Sequence, residues 1–91
     1  MKYKIVFTKI AEESISKVKK SDVYSYKKIE KLLVELSEHP KTGTGHPEPL
    51  IGGNDITYSR SISKKDRLVY NVYETEISVL VISASGHYAD R

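Results

Sequence analysis

The chain has 91 residues, of which 38% are hydrophobic and 30% are charged, and it contains no cysteine. That length fits one domain, the absence of cysteine excludes disulfide bonds and thiolate zinc sites, and no apolar stretch approaches the roughly 18 residues of a membrane span. We therefore expect a single domain over residues 1–91 that acts in the cytoplasm and has no membrane anchor.

Positive charge is concentrated in the first half of the chain, and the formal net charge is +3. Residues 1–47 carry ten Lys and Arg against six Asp and Glu, whereas residues 48–91 carry five against six. A basic region attracts polyanions, so this composition favours a nucleic acid or an acidic protein as the partner.

The first predicted elements are a strand and a helix. Tyr3, Ile5 and Phe7 alternate along one face of the strand. Thr8 then has the side chain of a helix N-cap. The apolar stripe of the helix consists of Ala11, Ile15 and Val18.

A second helix follows, with Ser21 and Asp22 as residues suited to capping its start. Its apolar residues recur at steps of three and four, namely Tyr26, Ile29, Leu32, Leu33 and Leu36. Pro40 disfavours helical geometry at His39, which predicts the end of the helix there. Residues 40–55 contain all three prolines and four of the five glycines, so we expect a long loop.

Three strands are predicted after the loop, over residues 56–62, 67–73 and about 76–84. Glu74-Thr75 reads as a two-residue turn, which would place Arg67 opposite Ile82. The fold class is therefore α+β with the order β-α-α-β-β-β, and two helices pack on one face of a largely antiparallel sheet.

Several residues could carry chemistry. Glu48 stands between Pro47 and Pro49, which hold the backbone around it extended. By strand alternation Arg67 faces away from the core, whereas Arg60 shares its face with apolar residues. Taken one at a time, charged residues in such positions are more commonly solvated side chains of a loop or strand than functional groups.

His87 and Tyr88 follow the last apolar strand. An unperturbed histidine, with a pKa of about 6.5, exchanges protons near neutral pH. Together with Glu48 and Arg67 it matches what RNA cleavage by the 2′-hydroxyl needs: a base, a cation for the phosphate and an acid for the leaving 5′-oxygen.

Other constellations are weaker. His46 and Glu48 could chelate a metal, but two ligands at that spacing are unspecific, and the three histidines match no zinc motif. Gly43-Thr44-Gly45 follows a helix instead of a strand, so it fails the context of a phosphate-binding loop. We therefore expect no metal and no cofactor.

The order and spacing of four segments resemble a known family. The segments are Gly43-Thr44-Gly45-His46-Pro47-Glu48-Pro49-Leu50, Tyr58-Ser59-Arg60, Asp66-Arg67-Leu68-Val69-Tyr70 and His87-Tyr88. The chain resembles, nearly from end to end, the YoeB/Txe family of toxins in the RelE-like superfamily. That resemblance implies a RelE-like fold and a ribosome-dependent endoribonuclease that cuts mRNA in the ribosomal A site.

The resemblance also implies roles for individual residues. Glu48 falls on the general base, Arg67 on the arginine that stabilises the phosphate, His87 on the general acid and Tyr88 on the tyrosine after it. Arg60 falls on a secondary phosphate or RNA contact. We count His46, in the same loop as Glu48, as a further RNA contact.

The implied partners are the 70S ribosome, its mRNA and a cognate antitoxin of the YefM/Axe type with an acidic C-terminal segment. Family members are commonly homodimers. The chain departs from the family pattern at Ile51, where a lysine is frequent, at Ser61, where a basic or aromatic residue is common, and in its tail Ala89-Asp90-Arg91.

Two other interpretations stay open at this point. One is a RelE-fold module that binds ribosome or antitoxin without efficient cleavage. The other is a small basic RNA- or DNA-binding protein of another family, which would bind without cutting and with a steep dependence on salt.

Overall fold

A computed structural model describes residues 2–43, 47–49 and 56–84 of the chain. The elements are β1 (Lys4–Phe7), α1 (Lys9–Ser21), α2 (Val23–Glu38), β2 (Glu48–Pro49), β3 (Thr57–Ser61), β4 (Arg67–Tyr73) and β5 (Ser78–Ser83). The predicted order is confirmed with one addition, the two-residue strand β2, which lies in the segment predicted to be loop. Neither described helix has the length and apolar composition that crossing a bilayer would need.

The strands form one five-stranded sheet in the order β1-β5-β4-β3-β2. β1 pairs with β5 in parallel, and the other neighbouring pairs are antiparallel. The largely antiparallel sheet predicted from the sequence is therefore confirmed. The β1–β5 pair brings together the two ends of the described chain. β5 is therefore paired along both of its edges, with β1 on one side and β4 on the other.

Both helices begin at the predicted caps. The Thr8 hydroxyl accepts a hydrogen bond from the Ala11 N–H at 3.0 Å and donates one to the Ile82 carbonyl at 2.8 Å, which fastens the start of α1 to β5. Asp22 caps α2 by accepting from the N–H and the hydroxyl of Ser25, and the hydroxyl hydrogen bond lowers the pKa of that carboxyl.

The hydrophobic core lies between the helices and one face of the sheet. α1 contacts β1 and β5, and α2 contacts β1. The core cluster comprises Ala11, Ile29, Leu32, Leu36, Ile62, Leu68, Tyr70, Val72, Val79, Val81 and Ala84. Each fully buried aliphatic side chain of this kind contributes about 1.5–3 kcal/mol. In the described segments no helix covers the opposite face of the sheet, which we call the open face.

The link between β4 and β5 is longer than the predicted two-residue turn. Tyr73 pairs with Ser78, so residues 74–77 form the link. Its last residue, Ile77, has a φ of 51°, and its N–H donates to the Glu74 carbonyl at 3.2 Å. A turn in this conformation is usually marked by glycine or asparagine, and this sequence has neither there.

The predicted pairing of Arg67 with Ile82 is consequently wrong. Tyr70 pairs with Val81 and Val69 pairs with Ser83, so Ile82 is the extra residue of a β-bulge. The bulge and the longer link together shift the register.

Candidate active site

Strand alternation places a carboxylate and an arginine on the open face. Glu48 on β2 pairs with Ser59 on β3, and Ser61 on β3 pairs with Arg67 on β4. Neighbouring strand residues in register project to the same side of the sheet. The side chains of these four residues therefore lie on one face, opposite the core residue Leu68.

Arg67 is held by two hydroxyls and lies close to the carboxylate. Its Nε donates to Ser59 Oγ at 3.1 Å and its Nη1 to Ser61 Oγ at 3.3 Å. Its Nη2 lies 3.8 Å from Glu48 Oε1. The exposed fraction is 26% for the Arg67 side chain and 67% for the Glu48 side chain. The guanidinium is thus fixed by β3, while the carboxylate stays open to solvent.

The Glu48–Arg67 pair is loose. At 3.8 Å it is an ion pair without a close hydrogen bond, and exposed pairs of this kind contribute only about 0–1 kcal/mol. Both groups can therefore exchange this contact for a ligand at little cost. Within the described residues, the second Nη1 hydrogen and both Nη2 hydrogens of Arg67 have no closer acceptor.

Arg60 occupies the opposite face of β3 and is fully buried. Its Nε donates to the Tyr70 hydroxyl at 3.0 Å, its Nη1 to Glu35 Oε1 at 3.0 Å, and its Nη2 to the carbonyl oxygens of His39 and Thr42. The predicted contact of Arg60 with RNA phosphate does not fit this position. The buried guanidinium donates to protein oxygens on the core side of the sheet, and the opposite face carries Glu48 and Arg67.

Tyr70 completes the surroundings of Arg60. Its hydroxyl donates to the Pro40 carbonyl at 2.8 Å while accepting from Arg60. Burial raises the pKa of the Tyr70 phenol, and the neighbouring guanidinium opposes that rise. Among the described residues, no buried side-chain nitrogen or oxygen lacks a hydrogen-bond partner.

His46, His87 and Tyr88 lie outside the described residues, as do Ile51 and the three-residue tail. Their predicted roles therefore stay predictions. β5 ends at Ser83 opposite Val69, which is two residues from Arg67 along β4. The described chain thus ends next to the row of the sheet that carries Arg67.

Metal binding is not supported by a cluster in the described part of the chain. There, no three His, Asp or Glu side chains lie close enough together to hold a metal ion. Glu48 and Arg67 instead provide a proton acceptor and a cation side by side. This combination suits a phosphodiester whose attacking hydroxyl loses a proton while its phosphate gains charge.

Sequence reasoning missed the hydroxyls that orient Arg67. A signal existed, because Ser59 and Ser61 alternate on β3 and face the same side as the arginine. The salt bridge from Arg60 to Glu35 was also missed. Its partners are 25 positions apart in the sequence and on different elements, so no local pattern reveals it.

The sequence of the chain is similar to that of a known protein family. Residues 7–88 match a family model described as the YoeB-like toxin of bacterial type II toxin–antitoxin systems. A curated "Toxin YoeB" of Streptomyces coelicolor is 33% identical over 85 residues, covering 93% of this chain and 99% of that protein.

Solved structures agree with the family match. A YoeB dimer from Staphylococcus aureus has a TM-score of 0.84 at 30% identity, covering 97% of this chain and 100% of that chain. A YoeB–YefM complex from Staphylococcus aureus has a TM-score of 0.80 at 29% identity with the same coverage. A RelE–RelB complex from Pyrococcus horikoshii shares the fold, with a TM-score of 0.77 at 14% identity over 98% of this chain and 99% of that chain. The RelE-like fold is thereby confirmed, and the chain belongs to the YoeB family of toxins of bacterial type II toxin–antitoxin systems.

Proposed function

We propose that this chain is a ribosome-dependent endoribonuclease that cuts mRNA in the ribosomal A site and thereby stops translation. One observation carries the proposal: Glu48 and Arg67 lie 3.8 Å apart on the open face, with the carboxylate exposed and the guanidinium held by two serines. Family membership supports it independently.

The proposed chemistry uses these two groups together with His87. Glu48 takes the proton of the 2′-hydroxyl, whose oxygen attacks the adjacent phosphorus. Arg67 offsets the negative charge that the phosphate gains in the transition state. The bond to the 5′-oxygen breaks as His87 gives that oxygen a proton. The products are a 2′,3′-cyclic phosphate, or the 3′-phosphate formed when water opens it, and a 5′-hydroxyl.

The remaining predicted contacts belong to substrate binding. Tyr88 stacks on a base or orients the phosphate, and His46 adds a contact to RNA. No metal ion takes part, because the nucleophile belongs to the substrate and the two protein groups act directly on it.

The proposed partners follow from charge and from the relatives. The net positive charge of the first half of the chain favours polyanionic partners such as the ribosome and its mRNA, which lie in the cytoplasm. The YefM partner and the dimer of the Staphylococcus aureus proteins support an antitoxin partner and a homodimer for this chain as well. The acidic C-terminal segment of the antitoxin is what the family resemblance implies.

The function can be tested with purified chain and ribosomes programmed with a defined mRNA. Primer extension should locate cuts within the A-site codon, and the fragments should carry a 5′-hydroxyl and a 2′,3′-cyclic phosphate or 3′-phosphate. Glu48→Gln and His87→Ala should each slow cleavage by roughly 10²–10⁴. Glu76→Gln is the matched control, since it removes an exposed carboxylate from the β4–β5 link.

Two results would count against the proposal. If wild-type chain binds ribosomes but leaves the mRNA intact, it is the binding module without efficient cleavage. If Glu48→Gln and His87→Ala both cleave like Glu76→Gln, the assigned roles are wrong. Metal independence is tested separately by a phosphorothioate at the scissile phosphate, where we expect no rescue of the rate by Mn²⁺.

A further inference from the structure

Arg60 is the centre of a buried polar cluster on the helix side of the sheet. We call this cluster the Arg60 node, and it consists of Arg60, Glu35, Tyr70 and the carbonyl groups of His39, Pro40 and Thr42. Arg60 itself is 0% exposed. Taking a guanidinium out of water costs several kcal/mol, which its partners must offset.

The node joins three parts of the molecule. Tyr70 belongs to β4 and Arg60 to β3, and Glu35 lies in the last turn of α2. The three carbonyl groups belong to the segment that follows α2, which we call the exit segment, residues 39–43. The hydrogen bonds from Arg60 and Tyr70 to this segment are all accepted by backbone oxygens, so they fix the path of the backbone itself.

Gly43 is the last residue of the exit segment, and its backbone packs closely against the node. Its φ is 116°, which side chains of L-residues rarely adopt. A Cβ at this position would lie 2.5 Å from Glu35 Oε1 and 3.2 Å from Arg60 Nη1. The backbone therefore rests directly on the Glu35–Arg60 ion pair, and five positions later the chain reaches Glu48.

We propose that Arg60 is a positioning residue that sets where the chain leaves α2 and hence where Glu48 stands relative to Arg67. This inference rests on the proposed function. Arg60 and Arg67 lie on opposite faces of adjacent strands, so a single β3–β4 unit holds the phosphate-binding cation on one side and the anchor of the exit segment on the other. A misplacement of about 1 Å can cost roughly 10²-fold in rate.

A second contact to the exit segment is of a different kind. Lys41 Nζ lies 2.5 Å from Glu74 Oε2, and the Tyr3 hydroxyl donates to Glu74 Oε1 at 2.6 Å. This contact is on the surface, with about half of the Lys41 and Glu74 side chains exposed. Water competes with it, so the buried node determines the path of the segment.

The test compares variants that loosen the node without removing Arg60. Tyr70→Phe deletes the hydroxyl that joins Arg60 to Pro40, and Gly43→Ala places a methyl group against Glu35. Tyr58→Phe is the matched control, because its ring stacks on Tyr70 with centroids 6.1 Å apart and lies outside the node. Single-turnover cleavage is measured over a range of ribosome concentrations, below the melting transition of each variant.

We expect Tyr70→Phe and Gly43→Ala to lower the maximal rate by about tenfold or more, with the half-saturating ribosome concentration unchanged. Tyr58→Phe should stay within about twofold of wild type. Hydrogen exchange should be faster at the amides of residues 41–43 in both node variants and unchanged in Tyr58→Phe. A purely structural role would shift the melting temperature and leave the maximal rate of the folded protein unaltered.

The outcomes separate the two proposals. If wild-type chain cleaves in a Glu48-dependent manner and Tyr70→Phe and Gly43→Ala cleave equally fast, Arg60 does not position Glu48 and the proposed function stands. If Arg60→Lys raises the half-saturating concentration while both node variants behave as wild type, Arg60 contacts RNA directly and the inference is overturned. If the wild-type chain does not cleave mRNA, the proposed function is wrong, and the inference about Arg60 falls with it.

Discussion

Arg60 and Arg67 lie on neighbouring strands and have opposite surroundings. Arg60 is buried on the helix-covered face, where each of its three nitrogens donates to a protein oxygen. Arg67 is partly exposed on the open face, where two serines orient it and its contact with Glu48 is loose. A buried cation whose three nitrogens all donate to protein oxygens stabilises the fold, whereas a partly exposed one with unused donors can bind a substrate.

The largest expected effect is on the covered face. Arg60→Ala removes one partner of a buried ion pair and leaves carbonyl oxygens unpaired, which should lower the free energy of unfolding by about 3–5 kcal/mol. Urea unfolding measures this, with Lys64→Ala as the control for loss of one positive charge. A loss below about 1 kcal/mol would mean that Arg60 does not stabilise the fold and so does not differ from Arg67 in this respect.

The hydroxyls on the open face give the next effect. Ser59→Ala removes the 3.1 Å hydrogen bond to Arg67 Nε and should slow single-turnover cleavage by roughly tenfold, because a guanidinium that has lost its orientation stabilises the transition state less well. Ser61→Ala should cost less, since its bond is longer at 3.3 Å. Thermal melting should change little in either variant. Equal rates for both variants and wild type would show that Arg67 needs no orientation by β3.

A substitution outside both arginine sites tests whether a loss of stability alone affects cleavage. Thr8→Ala removes the cap of α1 and its bond to β5, so it should destabilise the fold by about 0.5–2 kcal/mol. Cleavage by the folded variant should equal that of wild type, because Thr8 touches neither Glu48 nor Arg67. A selective loss of cleavage would contradict the separation between fold and site.

The smallest expected effect concerns the surface contact of the exit segment. The hydrogen bond from Lys41, and then that from Tyr3, lowers the pKa of Glu74 below its ordinary value of 4.5. Stability from this contact is therefore present above about pH 4.5 and is lost as the pH falls through the lowered pKa. Glu74→Gln should flatten the pH dependence of the unfolding free energy in that acid range. An unchanged acid limb would show that the contact contributes nothing.

Local chemistry made much of the fold predictable. Pro40 and His39 set the end of α2, Thr8 and Asp22 set the helix starts, and alternation placed β4 at Arg67–Tyr73. The β4–β5 register was not predictable, because Ile77 adopts a left-handed conformation without the glycine or asparagine that signals it.

The candidate site was predictable in part. Proline neighbours drew attention to Glu48, and parity showed that Arg67 faces away from the core. Parity also showed that Arg60 shares its face with apolar residues, yet the family resemblance favoured an RNA contact for it. Only the tertiary structure brings Glu35 and the exit segment to Arg60, since these contacts join elements far apart in the sequence.

The most direct test is the single-turnover rate of mRNA cleavage on programmed ribosomes by Arg67→Met, with Lys64→Met as its charge-matched control. Arg67→Met should cleave roughly 10²–10³-fold more slowly than wild type, because one preorganised contact to the transition state is lost. Its unfolding free energy should stay within about 1 kcal/mol of wild type. If Arg67→Met cleaves as fast as Lys64→Met, the open face is not the site of the reaction.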